Sequence, residues 1–393
     1  MTPDQTRLRR CAILLFEPRE KLMFDLGALS SGGSGVHTII EWVALAPHLG
    51  DEIGVTLQEV AVLGAISSSS WVGFDDVCTV HPLHVLEALI RKELLVVEDS
   101  RSDRRDRLLR DTHWRSTSAA MHYASRWRDV DTEVDEMRFA EITGRSLLAH
   151  LGPPPAPVRE RTDAASRRRL PGAKPTTLDA LLDRRVTCRN FDASAALSFA
   201  DFSAVLYRAY GARAVHDFAP EVPLLKKGVP SAGGLHATEA YLLVRRVDGV
   251  DPGLYHYHPV DHALEPMRAL DREEAAALAR RFVAAQSHFL DAPVFVIPVS
   301  RFGRNFWKYR NHAKAYRALI LDVGHLSQTM YLAATELGLA AFITAAINEI
   351  DIEEAFGLDP LEEGPLAVCG FGLRGPACKE IEFDPLHAVW KTD

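Results

Sequence analysis

The stretch KYRNHAKAYRALILDVGHLSQT, from Lys308 to Thr329, leads into the longest apolar periodicity of the chain. Between Ala313 and Leu337, Tyr316, Leu319, Ile320, Val323, Met330, Tyr331, Ala334 and Leu337 recur at spacings of three, four and seven, the period of one buried helical face. Gly338 is the natural stop, because glycine adopts the left-handed conformation that ends helices. A helix of about 25 residues runs close to 40 Å at the usual rise. That is too long for the core of one small subunit, so a packing partner related by two-fold symmetry is expected. His325 on this helix reads as a core imidazole bonded to a neighbour.

Other segments carry polar chemistry. In RRVTCRNF (184–191), Arg185, Thr187 and Arg189 place two guanidiniums and a hydroxyl within five positions, directly after Leu178, Leu181 and Leu182 at helical spacing. Such a set suits an anionic group, and it equally suits a solvated basic helix end. In PSAGGLHATEAY (230–241), Pro230 presets the backbone, Gly233 and Gly234 allow close approach, and Ser231 offers a hydroxyl. A flat polar ring edge would fit there, as would an ordinary turn before the strand AYLLV. GLYHY (253–257) follows, and GLAAFITAAINEIDIEEAF then places a small-residue strand end before a helix. Arg374 leaves the apolar strand PLAVCGFGL within GFGLRG (370–375).

In this order the motifs resemble the SagB/McbC-type flavin-dependent azoline dehydrogenases of peptide maturation, members of the nitroreductase superfamily. The resemblance covers about the last 220 residues. It implies an α+β, dimeric fold with a central sheet flanked by helices and with FMN at the subunit interface. By resemblance Arg185, Thr187, Arg189 and Arg374 hold the FMN phosphate and ribityl arm, Ser231, Ala232 and Gly233 lie along the ring, and Ala345 and Ala346 approach flavin N5. Lys308 and Tyr309 match the catalytic Lys-Tyr pair, the lysine as base and the tyrosine as its hydrogen-bonding partner. Two departures stand out: Val186 replaces a common second cation, and Asn311-His312 lengthens the interval from Lys308 to Tyr316-Arg317 by two residues. The implied activity is dehydrogenation of azolines to azoles in a ribosomally made peptide, with a partner cyclase. Reduction of dehydroamino acids or of small nitro or quinone compounds is the neighbouring activity. A flavin-free peptide-binding scaffold is the contrasting class.

With 393 residues, 47% of them hydrophobic, and a net charge of −8, the chain is long enough for two or three domains. No apolar run is long enough to span a membrane, and no secretion signal opens the chain. Five scattered cysteines, Cys11, Cys78, Cys188, Cys369 and Cys378, fit a reducing cytoplasm. His256 and His258 in YHYHP lack a third ligand, so no metal is expected.

The proline-rich stretch 152–176 reads as part of a linker segment, 101–175, ahead of an oxidoreductase domain at 176–393. Within it the run RSDRRDRLLRD reads as a solvated helix face, and Trp114, Tyr123, Trp127 and Phe139 follow without a decided role. Residues 1–100 order as a small sheet, helices and the terminal strand ELLVV, a winged-helix pattern. They hold 7 Lys+Arg against 14 Asp+Glu, a balance that excludes a phosphate-binding surface. The expectation is a docking module like the RiPP recognition elements, taking the leader of a precursor peptide as an added strand; a structural cap is the alternative.

Overall fold

The computed structural model describes residues 6–134, 148, 152–310 and 312–391; Phe139 and Asn311 lie outside them. Along the chain run β1 (Arg7–Arg10), β2 (Leu15–Phe24), α1 (Leu26–Ser30), β3 (Val36–Leu45), β4 (Glu52–Val55), α2 (Leu57–Ala65), β5 (Val72–Gly73), α3 (Phe74–Cys78), α4 (Leu83–Arg91), β6 (Leu95–Val97), α5 (Arg101–Asp111) and α6 (Ser116–Ala124). Residues 152–176 form neither helix nor strand and are almost wholly exposed. Then come α7 (Thr177–Arg184), α8 (Phe199–Ala209), β7 (Ala212–Ala219), β8 (Val222–Lys227), β9 (Thr238–Val244), β10 (Gly253–His258) and β11 (Ala263–Ala269). The chain continues through α9 (Arg272–Phe282), β12 (Val294–Arg301), α10 (Phe302–Tyr309), α11 (Ala315–Glu336), β13 (Ala340–Thr344), α12 (Glu349–Phe356), β14 (Glu363–Pro365) and β15 (Val368–Gly372). Among the described residues no helix is long and apolar enough to cross a membrane.

Two compact units result, each assembled from separate stretches. The first holds Met1–Arg126, Ser300–Leu321 and Gly357–Gly364; the second holds Trp127–Val299, Asp322–Phe356 and Pro365–Asp393. The division does not follow breaks at 100 and 176, because side chains after α5 seek partners far along the chain. Trp114 Nε1 donates to Leu361 O at 3.0 Å and Tyr123 OH to Pro360 O at 2.6 Å.

In the first unit, β2, β3 and β4 form an antiparallel meander, and β1 sits between β5 and β6 in a second small sheet. Thr56 opens α2 with a capping box closed by Glu59. The faces of α2 and α4 bury Val62, Leu63, Val85, Leu86 and Leu89 against Leu8, Ala44 and Val96. The β2–β3 hairpin outruns this core: β4 pairs only with Trp42–Leu45, while β2 pairs with β3 out to Phe24↔Val36. Leu22, Phe24, Val36 and Ile40 on that extension are exposed.

The charged run on α5 is solvated on one side only, where Arg101, Arg104, Arg107 and Asp111 are exposed. Asp103 and Asp106, three apart and therefore on one side of the helix, are fully buried beneath Arg9, which reaches them at 3.0 and 3.1 Å. Each carboxylate also collects a backbone amide, Asp99 N at 3.0 Å and Ala12 N at 2.6 Å. Buried charge is tolerated only when paired and hydrogen-bonded in this way.

In the second unit the main sheet runs β11-β10-β9-β12-β15-β13. Its central strands are buried on both faces, so they read as apolar runs. Ala240, Leu242 and Val244 of β9 face α8 and α11, packing with Phe202, Leu206, Met330 and Ala334. Tyr241 points the other way and meets Phe356 of α12 edge-on at 5.3 Å. Helix α11 spans 22 residues, within a turn of the expected extent. Its inward face holds Val323, Leu326, Met330 and Tyr331, but Ile320 and His325 turn out to solvent. His325 is therefore no core imidazole; its Nδ1 lies 3.9 Å from Asp322.

His122 of α6 does occupy a core. Its ring is caged by Trp114, Phe302 and Tyr316, with Nδ1 2.8 Å from the Tyr316 hydroxyl. Burial, with help from the Arg126 cation, pushes the imidazole down to about 3. An unfolded chain protonates this histidine near pH 6.5, whereas the folded chain refuses the proton until about 3. The His122 contribution to stability is thus complete above about pH 6.5 and falls by about 1.4 kcal/mol per pH unit below it. Urea titrations at about pH 7.5 and about pH 5 should show this loss, and His122→Phe should flatten it. An equal slope in His122→Phe would assign the acid sensitivity to other groups.

Candidate functional site

Beyond α7 the chain runs extended from Arg185 to Phe191, laid against β13 on one side and the chain leaving β15 on the other. Thr187 bridges Ala341, Phe191 bridges Arg374, and Cys188 N donates to Ala341 O at 2.9 Å. An extended chain alternates its side chains. Val186, Cys188 and Asn190 are buried, while Arg185, Thr187 and Arg189 share the outward face. Two cations and a hydroxyl on one side of a pinned strand form a donor set that fits a phosphate.

Partners already claim part of this set. The Arg185 guanidinium lies 5.4 Å over the Tyr331 ring, and Thr187 Oγ1 is 3.0 Å from the Tyr331 hydroxyl, whose pKa burial raises. Arg189 Nη1 donates to Ile381 O at 2.8 Å, and its buried Nε has no partner among the described residues. Arg374 is ion-paired with Glu382 and lies 5.3 Å over the Trp390 ring.

The PSAGG segment forms a tight 3-10 turn in which Gly233 and Gly234 take φ of 59° and 71°, values that favour glycine. The turn is anchored from α11. Ser231 Oγ donates to Asp322 Oδ2 at 2.5 Å, Ala232 N to Asp322 Oδ1 at 3.0 Å, and His236 N to Ser231 Oγ at 3.0 Å. A small pocket opens here, lined by Pro230, Ser231, His236, Thr238, Asp322 and Leu326. Sequence reasoning missed Asp322, although an acid in register with Leu319, Val323 and Leu326 was a visible signal. Lys227, just before the loop, was also missed; burial pushes its ammonium down to about 8, against the pull of Glu239.

Glu239 lies 3.2 Å from His256, whose other ring nitrogen is 2.6 Å from Glu265, so hydrogen bonds to these carboxylates raise the imidazole pKa. His258 lies 3.2 Å from Asp261. Both histidines of YHYHP thus have carboxylate partners.

After β13, Gln286 fixes the turn by donating to Ala346 O at 2.7 Å, while Ala346 N donates to Thr344 Oγ1 at 3.2 Å. Ala345 is exposed. Lys308 and Tyr309 end α10 in the first unit, with the ammonium 5.7 Å over the tyrosine ring. Lys308 is exposed and Tyr309 half-buried. Buried Asn305 donates to Ala315 O at 2.9 Å, tying α10 to the start of α11. The remaining candidates belong to the second unit.

Sequence comparison matches residues 182–373 to the nitroreductase family. MJ1384 of Methanocaldococcus jannaschii, described as a candidate nitroreductase, is 31% identical over 210 residues, 52% of this chain and 95% of that protein. The chain belongs to the nitroreductase family. The trifolitoxin-processing protein TfxB of Rhizobium leguminosarum is 31% identical over 36% of this chain and 38% of its own length. The microcin B17-processing protein McbC of Escherichia coli is 26% identical over 45% of this chain and 65% of its own length. Among solved structures, a chain of the E. coli microcin synthetase McbBCD complex with truncated pro-MccB17 aligns with a TM-score of 0.48 at 21% identity, covering 67% of this chain and 96% of that one.

In this nitroreductase-family chain Asp322 should prove the loop's anchor. Asp322→Ala removes an acceptor shared by a hydroxyl and an amide, a loss of about 1.5 to 3 kcal/mol for bonds to a charged group. Hydrogen exchange at the Ala232 amide should accelerate in that variant. Unchanged exchange would show that the glycine turn holds itself.

Proposed function

We propose that the protein is an FMN-dependent dehydrogenase that oxidises azolines to azoles in a ribosomally made peptide. The observation that carries this reading is the double attachment to α11. The Arg185–Thr187 face meets the helix at Tyr331 and the PSAGG turn meets it at Asp322. Nine residues of helix separate the two, about 13 Å along the axis, a span comparable with the length of FMN from phosphate to ring. Arg185, Thr187 and Arg189 would hold the phosphate end, and Ser231, Ala232 and Gly233 the ring edge, with Ala345 and Ala346 near N5. Two relatives are named for the processing of trifolitoxin and microcin B17, which supports a peptide substrate; a partner cyclase belongs to the same proposal.

Aromatising an azoline removes a proton from one ring carbon and a hydride from its neighbour. Bound flavin supplies the two-electron acceptor for that hydride. Lys308 would take the proton, with the Tyr309 hydroxyl completing the hydrogen-bond network. Purified protein should be yellow, and Lys308→Ala should keep its FMN while losing about 10²-fold or more in turnover on an azoline peptide. Near-normal turnover in Lys308→Ala would sink this assignment.

The first unit would dock the leader of the precursor peptide. Among the described residues the edge of β3 beyond β4 is unpaired from Val36 to Glu41, and the apolar residues Leu22, Phe24, Val36 and Ile40 accompany it. An extended peptide can add a strand there, whereas the acidic balance of residues 1–100 disfavours DNA. Exposed apolar residues on the second unit, Leu178, Leu182, Ile381 and Phe383, with Ile320 and Leu321 on α11, support a homodimer. Light scattering of the full chain should give twice 43.5 kDa, and titration with precursor peptide should saturate in the micromolar range while duplex DNA leaves the signal unchanged. A monomeric mass would refute the dimer, and binding of DNA in place of the peptide the docking role.

A further inference from the structure

Glu382 sits in the tail that follows β15, outside every helix and strand, yet its side chain is fully buried. One carboxylate oxygen accepts from Arg189 N at 2.7 Å, Asn190 N at 3.0 Å and Asn190 Nδ2 at 2.9 Å. The other accepts from Trp390 Nε1 at 2.9 Å and pairs with Arg374. Burial alone would push this carboxyl up, but the amides, the indole and the guanidinium outweigh it and leave it below the ordinary range. Asn190 answers in kind: its Oδ1 accepts from Lys379 N and Glu380 N at 2.7 and 2.8 Å, and its Nδ2 donates to Glu380 O at 2.8 Å. Asp384 gathers the amides of Ala388, Val389 and Trp390 at 3.0, 2.9 and 2.8 Å, which sets the indole in place. Along this tail Glu382 and Asp384 face inward while Ile381 and Phe383 face out, the reverse of an ordinary amphipathic strand.

We propose that Glu382 is the positioning residue of the cofactor-phosphate segment: the tail from Cys378 to Trp390 clamps Arg189–Asn190 from behind, and Arg374 acts through Glu382 without contacting the phosphate. The inference rests on the FMN reading above. Its physics is local. The backbone amides of Arg189 and Asn190 end on Glu382, so their peptide planes are fixed and the outward face of Arg185, Thr187 and Arg189 is held in one orientation. Arg374 already faces a buried carboxylate; a phosphate drawn to it would meet that carboxylate as a like charge. Arg185, with no carboxylate partner among the described residues, is the cation left for the phosphate.

FMN and riboflavin differ by the phosphate, so the ratio of their dissociation constants, measured by fluorescence quenching on the full chain, separates contact from positioning. Arg185→Ala should reduce the preference for FMN about tenfold or more, as expected for a lost charge-assisted bond. Glu382→Gln and Arg374→Gln should weaken both flavins together by roughly threefold or more, leaving the ratio within about twofold, and the double variant should be no weaker than the weaker single one. Amide exchange from Cys188 to Phe191 should rise in each, and in Trp390→Phe, a milder change that keeps the ion pair. A collapse of the FMN preference in Arg374→Gln overturns the proposal, because it makes Arg374 a phosphate ligand. So does unchanged exchange in Glu382→Gln. If the unaltered chain binds neither flavin, the FMN reading falls on its own, and the clamp is decided by the exchange measurement alone.

Discussion

The carboxylate of Asp322 lies on the inward face of α11, beside Val323 and Leu326, largely withdrawn from water. An ionised group in that position must find donors or lose several kcal/mol. The donors come from the Ser231 hydroxyl and the Ala232 amide, so the requirement of one buried charge dictates where the PSAGG turn lies and how it bends. Tyr331, about two and a half turns further along, does the same for the Arg185–Thr187 segment through its hydroxyl and its ring. The helix is therefore both the core element that covers β9 and β15 and the spacer that sets the distance between two loops.

Much of the second unit was legible because its rules are local. Strands buried on both faces appear as continuous apolar runs, so β9, β13 and β15 were visible, and the 3.6-residue period located α11 to within its ends. The glycine turn was legible because positive φ selects its residue type. What stayed hidden was long-range. Trp114 and Tyr123 give no hint that their polar atoms end on Leu361 and Pro360, 247 and 237 residues away, contacts that draw residues 357–364 into the first unit. The outward turn of His325 was equally hidden, since an apolar period assigns a face only to residues whose neighbours need burial.

Charge patterns were the least legible of all. RSDRRDRLLRD has the composition of a wet helix, and Asp103 and Asp106 would be wet were Arg9 not waiting across from them. The tail IEFDP presents the same difficulty in another form. Its alternation is regular, yet the polar side faces in, because the unpaired amides and the guanidinium it covers need acceptors more than the surface does. A single sequence records how many charges a segment has. It does not record which counter-charge waits on the other side of a buried contact, and that decides whether a carboxylate is solvent-facing or structural.

The same consideration ranks the arginines of the site. A guanidinium bound to a buried carboxylate is, at the distance of a ligand, closer to a dipole than to a charge, and its attraction for an anion falls off accordingly. Arg374 is in that condition; Arg189 lends one nitrogen to a carbonyl and retains a buried Nε without a partner. Among the described residues Arg185 has no carboxylate partner and has the face of Tyr331 beneath it, a contact that orients the guanidinium without neutralising it. Sequence resemblance treats the three as equivalent because each occupies a motif position. Their surroundings do not. The cation whose charge is uncompensated and whose plane is already set loses least on meeting a phosphate, so affinity for an anionic ligand should concentrate at Arg185, on the open side of a segment whose closed side is occupied by the tail.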